Sequence, residues 1–133
     1  MQEILQPADW ARPRGYSNGI AVEGSGKTVY IAGQIGANAA GKVESDDFGR
    51  QIEQAFRNVV RILQEAGGRP SDLVRLTWFI TDKAAYNAAG PAIGAAYKEI
   101  IGRHFPTITV IFVSALVDDR AKVEIEATAF VAG

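Results

Sequence analysis

The sequence predicts an α+β fold of order ββαβαββ, a mixed sheet with both helices on one face. Three observations carry this. Short β-rich runs alternate with two stretches whose apolar residues recur at helical spacing. Glycines and prolines cluster between those runs. The last strand candidate alternates Val123, Ile125, Ala127 and Ala129 with Glu124, Glu126 and Thr128, so one of its faces suits a packed helix layer.

Residues 1–18, with Pro7, Pro13 and Gly15, read as an irregular lead-in. Ile20 and Val22 begin a short strand, and Glu23-Gly24-Ser25-Gly26-Lys27 reads as a hairpin turn. Thr28 to Ala32 forms the second strand, followed by a glycine-rich loop from Gly33 to Glu44. Ser45 or Asp46 caps a long helix. Its stripe is Phe48, Ile52, Ala55, Phe56, Val59, Ile62, Leu63 and Ala66, and Gly67-Gly68 ends it. Glu53 and Arg57 on another side have the spacing of a weak helical ion pair.

Leu73 to Ile80 is the third strand, and Asp82 caps a short helical turn. The second helix starts near Pro91 and runs to about Gly102, with Ile93, Ala96, Tyr97, Ile100 and Ile101 as its stripe. Thr107 to Val113 is the fourth strand and Ala121 to Val131 the fifth, with a turn at Asp118-Asp119. Apolar residues continue on both sides of Thr107–Val113, more than two helices can cover. Self-association through the second face of the sheet is the economical expectation.

The chain of 133 residues fits one domain spanning 1–133, and 47% hydrophobic residues suffice for a core. A net charge of −1 with interspersed signs suggests neither a nucleic-acid nor a membrane surface. The absence of cysteine excludes disulfides, thiolate zinc sites and a thiol nucleophile, and weighs mildly toward a reducing cytoplasm. No signal peptide and no bilayer-length apolar run is seen.

Some signals point to the wrong chemistry. Gly24-Ser25-Gly26-Lys27-Thr28 resembles the end of a phosphate-binding loop, but Ala21 stands where the motif needs its first glycine. Val29-Tyr30-Ile31 also continues as a strand, where a phosphate site needs a helix. His104 is the only histidine and sits near a predicted helix C-terminus, which favours a cation. One histidine without cysteine makes a metal cofactor a poor expectation. Trp10, Trp78, Tyr86 and Tyr97 are candidates for a pocket lining, but Trp78 and Tyr97 lie within apolar stripes and suit the core better.

Glu124 and Glu126 carry the best candidate chemistry. Two residues apart on a strand, they point to one face. Either they decorate a solvated face, or one carboxylate faces a cleft and moves a proton.

The layout of Gly15-Tyr16, Tyr30-Ile31-Ala32-Gly33-Gln34-Ile35, His104-Phe105-Pro106-Thr107-Ile108-Thr109-Val110 and Val123-Glu124-Ile125-Glu126-Ala127 resembles the Rid (YjgF-type) family of enamine/imine deaminases. The resemblance covers nearly the whole chain. It implies a chorismate-mutase-like fold, a homotrimer, ligand clefts between subunits and no cofactor. Tyr16 matches a family tyrosine that shapes the cleft, although its Gly-Pro-Tyr segment is Arg14-Gly15-Tyr16 here. Gly33 matches a glycine whose backbone approaches the ligand, and Ala32 stands where serine is common. Glu124 matches the glutamate associated with the attacking water, allowing one extra residue near Asp118–Arg120. Thr109 and Val110 are expected to line the cleft.

Ile108 is the departure. Deaminating members carry an arginine two residues after the proline, and it holds the substrate carboxylate through paired charge-assisted bonds. Isoleucine offers none, so a substitute cation is sought in Arg12, Arg14 or Arg103. The resemblance therefore implies a small-molecule enamine or imine substrate of altered choice, with catalysis by Glu124 and Tyr16 and binding by Gly33, Ile108, Thr109 and Val110. A non-catalytic small-molecule binder is the alternative. An endoribonuclease, described for some relatives, fits the charge poorly.

Overall fold

A computed structural model describes residues 1–133. Its strands are β1 (Gln2–Leu5), β2 (Gly19–Val22), β3 (Gly26–Ile35), β4 (Leu73–Ile80), β5 (Thr107–Phe112) and β6 (Val123–Ala132). Its α-helices are α1 (Phe48–Glu65), α2 (Lys83–Ala88) and α3 (Gly90–Ile100). The main sheet has the order β3-β6-β4-β5. β6 runs antiparallel to β3 and β4, while β5 lies parallel to β4 at the edge. The α+β class and the mixed sheet are thus as the sequence predicts.

The first strands differ from expectation. Gln2–Leu5 is a strand within the expected irregular lead-in, and it pairs antiparallel with β2. β2 does not pair with β3, so Glu23–Lys27 is a turn between sheets and not a hairpin. Gln2 also donates to the Ser71 carbonyl, 3.1 Å away, tying the terminus to the start of β4. Local pattern cannot announce a pairing set by partners so far along the chain.

Gly26 opens β3, and a Cβ there would lie 2.5 Å from the Val131 carbonyl oxygen. The glycine that mimicked a phosphate loop serves close strand packing. It does not begin a helix.

Helix α1 is capped by Asp47, whose carboxylate accepts from the Arg50 N–H at 3.0 Å, one residue beyond the predicted caps. Gly67 at φ 77° reverses the chain after it, which glycine does without steric cost. Its buried stripe is the predicted one with three changes: Ile62 is exposed, Ala66 is half-buried at the C-cap, and Gln51 is fully buried. Gln51 is satisfied by the carbonyls of Ser45 and Arg120 and by the Lys122 N–H, so it ties α1 to the β5–β6 loop. Arg57 bridges Glu53 on its own helix and Glu99 on α3. Asp82 caps α2 through the Ala85 N–H.

The core lies between the sheet and the helices α1 and α3. Phe56 is fully buried, with its ring edge-on to Trp78 at 5.4 Å and to Tyr97 at 5.7 Å. Leu76, Trp78 and Ile80 of β4 and Val123, Ile125, Ala127 and Ala129 of β6 complete it. No helix is long and apolar enough to cross a membrane.

Candidate active site

Tyr16 reaches β5 because the residue after it is stapled there. The Ser17 N–H donates to the Pro106 carbonyl at 3.0 Å, and its Oγ donates to the Phe105 carbonyl at 2.6 Å. Ser17 is buried and bridges Thr107 in parallel. Gly15, at φ 79°, turns the chain just before Tyr16. Sequence reasoning missed Ser17, since a lone serine in a lead-in gives no local sign of a bond to a segment 88 residues on.

The result is a groove of about 780 Å³ beside the edge strand, lined by Tyr16, Tyr86, Tyr97, Phe105, Ile108 and Val110 among others. Ile108 pairs with Leu76 and Val110 with Trp78, so both side chains lie on the helix side of the sheet. Thr109 pairs with Thr77 and lies on the other side. Within one chain Thr109 and Ile108 therefore lie on opposite sides of the sheet, since neighbours on a strand face opposite ways.

Glu124 belongs to that other side. It pairs with Ile35 and Phe79, while Glu126 pairs with Thr77. Between Ile31 and Gln34, β3 carries an extra residue opposite β6, and Ala32 and Gly33 form this bulge. A Cβ on Gly33 would sit 2.6 Å from the Glu124 carboxyl carbon. The missing side chain is what makes room for the carboxylate. Glu124 is half-buried and makes no hydrogen bond or ion pair within the chain, so its oxygens remain open to a ligand.

The predicted residues thus fall into two groups. Tyr16, Ile108 and Val110 meet in the groove, and Gly33, Glu124 and Thr109 lie across the sheet from them. The sheet itself separates the groups within one chain.

The remaining candidates are placed clearly. Arg14 and Arg103 line the groove, whereas Arg12 lines a neighbouring cavity that shares Tyr16, Arg103 and Phe105 with it. His104 lies four residues beyond α3, and its Nε2 is 2.6 Å from the Leu73 carbonyl oxygen. As the donor of that bond it is a structural tie between β4 and the approach to β5. Trp10 is 59% exposed. Tyr97 packs flat on Phe105 and donates its hydroxyl to the His104 carbonyl. Burial pushes the Tyr97 phenol far above its ordinary pKa, so it stays a donor.

Residues 10–131 match the family model described as endoribonuclease L-PSP. The chain belongs to this family, the Rid or YjgF family. It is 32% identical over 112 residues to a 2-iminobutanoate/2-iminopropanoate deaminase of Dermatophagoides farinae, covering 84% of this chain and 81% of that one. The human protein of the same name is 30% identical over 115 residues, covering 86% and 78%. Among solved structures, the Rid family protein YyfB of Yersinia pestis superposes with a TM-score of 0.84 at 31% identity, covering 98% of each chain. RidA of Psychrobacter sp. PAMC 21119 gives 0.68 at 26% identity, covering 97% and 99%.

Proposed function

We propose that the protein is a hydrolase of small enamines or imines, acting in a cleft completed by a second copy of the chain within a homotrimer. The observation that carries this reading is the Glu124 carboxylate seated in the gap left by Gly33 at a β-bulge. Relatives named as imine deaminases support the reaction class. The division of the site supports assembly: a neighbour's groove can meet the Glu124 face, which the chain's own groove cannot. The exposed apolar residues Tyr30 at 81% and Ile111 at 39%, both on that face, give such contact a driving force.

In the reaction, water adds to the imine carbon while Glu124 accepts its proton. The imine nitrogen takes up a proton, and collapse of the adduct releases ammonia and leaves a carbonyl compound. Tyr16 shapes the cleft around the substrate, the Gly33 backbone approaches it, and Thr109 flanks the Glu124 side. No cofactor is required, since acid–base catalysis suffices.

Ile108 sets the substrate choice. It stands where deaminating family members hold the carboxylate with arginine, so this protein acts weakly on small aliphatic amino-acid imines. The test is ammonia release, or semicarbazone trapping, from imines of serine-like and leucine-like amino acids. Parent and Ile108→Arg are compared, with assembly checked by light scattering. The parent should be slow and Ile108→Arg faster. High parental activity overturns the role given to Ile108, while a monomer at micromolar concentration overturns the trimer. A well-assembled Ile108→Arg protein without gain, together with inactivity on all imines, would favour a binding protein without catalysis. RNA cleavage, which the family description raises, would require RNA binding that weakens with salt.

A further inference from the structure

The groove beside Ile108 is lined by Arg14, Lys98 and Arg103 and by no acidic residue. All three cations are exposed, and none makes an ion pair. Arg14 precedes Gly15 and Arg103 follows Gly102, both glycines with positive φ of 79° and 86°. Two glycine turns far apart in sequence therefore flank arginines that line one groove. The body of the groove is aromatic, with Tyr16, Trp78, Tyr86, Tyr97 and Phe105. Trp78 is only 6% exposed, and its Nε1–H has no hydrogen-bond partner.

Helix α3 faces the groove with Gly90, Ile93, Gly94, Tyr97 and Lys98, one helical side. Gly94 lies in the helix interior, where glycine is a poor helix former. It does not have positive φ, and a Cβ there would meet nothing within 4 Å. Neither backbone geometry nor packing within the chain demands glycine at this position. Its absent side chain leaves the groove side of the helix open.

We propose that this groove takes a monoanion with an aromatic body. Its carboxylate is held by Arg14 and Arg103 with Lys98 nearby, and its ring packs over Gly94 against the aromatic lining. The carboxylate function missing at position 108 is thereby moved to the groove mouth, and the substrate class becomes the imines of aromatic amino acids. Arginine suits this role because its planar fork meets a carboxylate through two parallel bonds. A flat ring gains from aromatic neighbours beyond the area it buries. The inference rests on the groove being the substrate site of the proposed hydrolase.

The test is calorimetric binding of phenylpyruvate, the carbonyl product of such an imine, to the full-length assembled protein. Pyruvate and phenylpyruvate methyl ester serve as comparators. Phenylpyruvate should bind, and either comparator should bind at least about tenfold more weakly. Arg103→Gln and Arg14→Gln should each weaken it by about tenfold to a hundredfold, given what a bond to a charged group contributes. Arg61→Gln, on the outer side of α1, should leave binding unchanged. Gly94→Leu should abolish binding while the assembly persists. The proposal is overturned if the ester binds as well as the acid, if pyruvate binds as well as phenylpyruvate, or if both arginine variants bind like the parent. Loss of assembly in Gly94→Leu would also overturn it, because a neighbouring chain would then occupy the space. Binding is read without catalysis, so the two proposals fail separately. Cation-dependent phenylpyruvate binding without imine hydrolysis sinks the hydrolase and leaves the aromatic monoanion as the groove's ligand. Hydrolysis of imines that carry no carboxylate, with no phenylpyruvate binding, sinks this inference alone.

Discussion

On the helix-covered face of the sheet, Leu76, Ile80, Val123, Ile125 and Ala129 are fully buried. On the opposite face, the same strands present Arg75 and Glu126 exposed, Glu124 and Thr128 half-buried, and Thr77 buried with its Oγ1 unpartnered. Alternation along β4 and β6 produces both faces from one stretch of sequence. The covered face is apolar and closed within the chain. The open face mixes these polar side chains with the apolar Tyr30, Phe79 and Ile111, carries a gap at Gly33, and leaves Glu124 without a bond. The difference separates residues that hold the fold from residues free to act on something else, and substitutions on each face should separate the two roles.

The largest expected effect is on the open face. Glu124→Gln keeps the shape of the side chain and deletes the proton acceptor. Imine hydrolysis by the assembled protein should fall about 10²–10⁴-fold. Stability, measured by urea unfolding, should move by less than about 0.5 kcal/mol, as for a substitution that breaks no buried contact. Equal turnover would remove Glu124 from the mechanism. A large loss of stability would show that this face also holds the fold, and the contrast between the faces would collapse.

Phe56→Ala probes the covered side. Phe56 is fully buried and joins Trp78 and Tyr97 through edge-on rings, so its loss leaves a cavity that close-packed neighbours fill only in part. Unfolding free energy should drop by about 3–5 kcal/mol. A drop below about 1 kcal/mol would mean that the aromatic cluster repacks freely.

The two faces also differ in how legible they were in the sequence. The covered face follows from periodicity, which gave Leu73–Ile80 with its bounds, the stripe of α1 and the inward set of β6. Two residues in α1 escaped it for opposite reasons. Gln51 is polar yet buried because three backbone groups satisfy it, and Ile62 is apolar yet lies on the solvent side. Strand alternation puts Glu124 and Glu126 forward together, and family resemblance singles out Glu124 and nominates Gly33. Their contact depends on a one-residue bulge that no local pattern marks. Ser17, the staple that sets Tyr16 beside Ile108, and strand β1 both depend on pairing across long stretches of chain. Thr109 follows Ile108 in the motif yet faces the other side of the sheet, because neighbours on a strand alternate. Periodicity reports which residues turn inward. It is silent on which distant segments meet.

The smallest expected effect lies where the covered core meets the groove. The Tyr97 hydroxyl donates to the His104 carbonyl, and burial raises its pKa well above the ordinary value. The unfolded chain releases this proton near pH 10, where the folded chain still holds it. Above that pH the unfolded state binds fewer protons, so stability falls as pH rises, by up to about 1.4 kcal/mol per pH unit from this group. Tyr97→Phe loses one hydrogen bond and should be less stable than the parent at pH 8 by about 0.5–1.5 kcal/mol. It also loses the alkaline penalty. The gap between the two proteins should therefore close between pH 10 and pH 11 and then reverse, because the other titrating groups contribute equally to both. Urea unfolding at pH 8, 10 and 11 reads this directly. A gap that stays constant with pH would mean that the Tyr97 phenol ionises as readily in the folded protein as in the unfolded one. The boundary between core and groove would then be wetter than the buried face behind it.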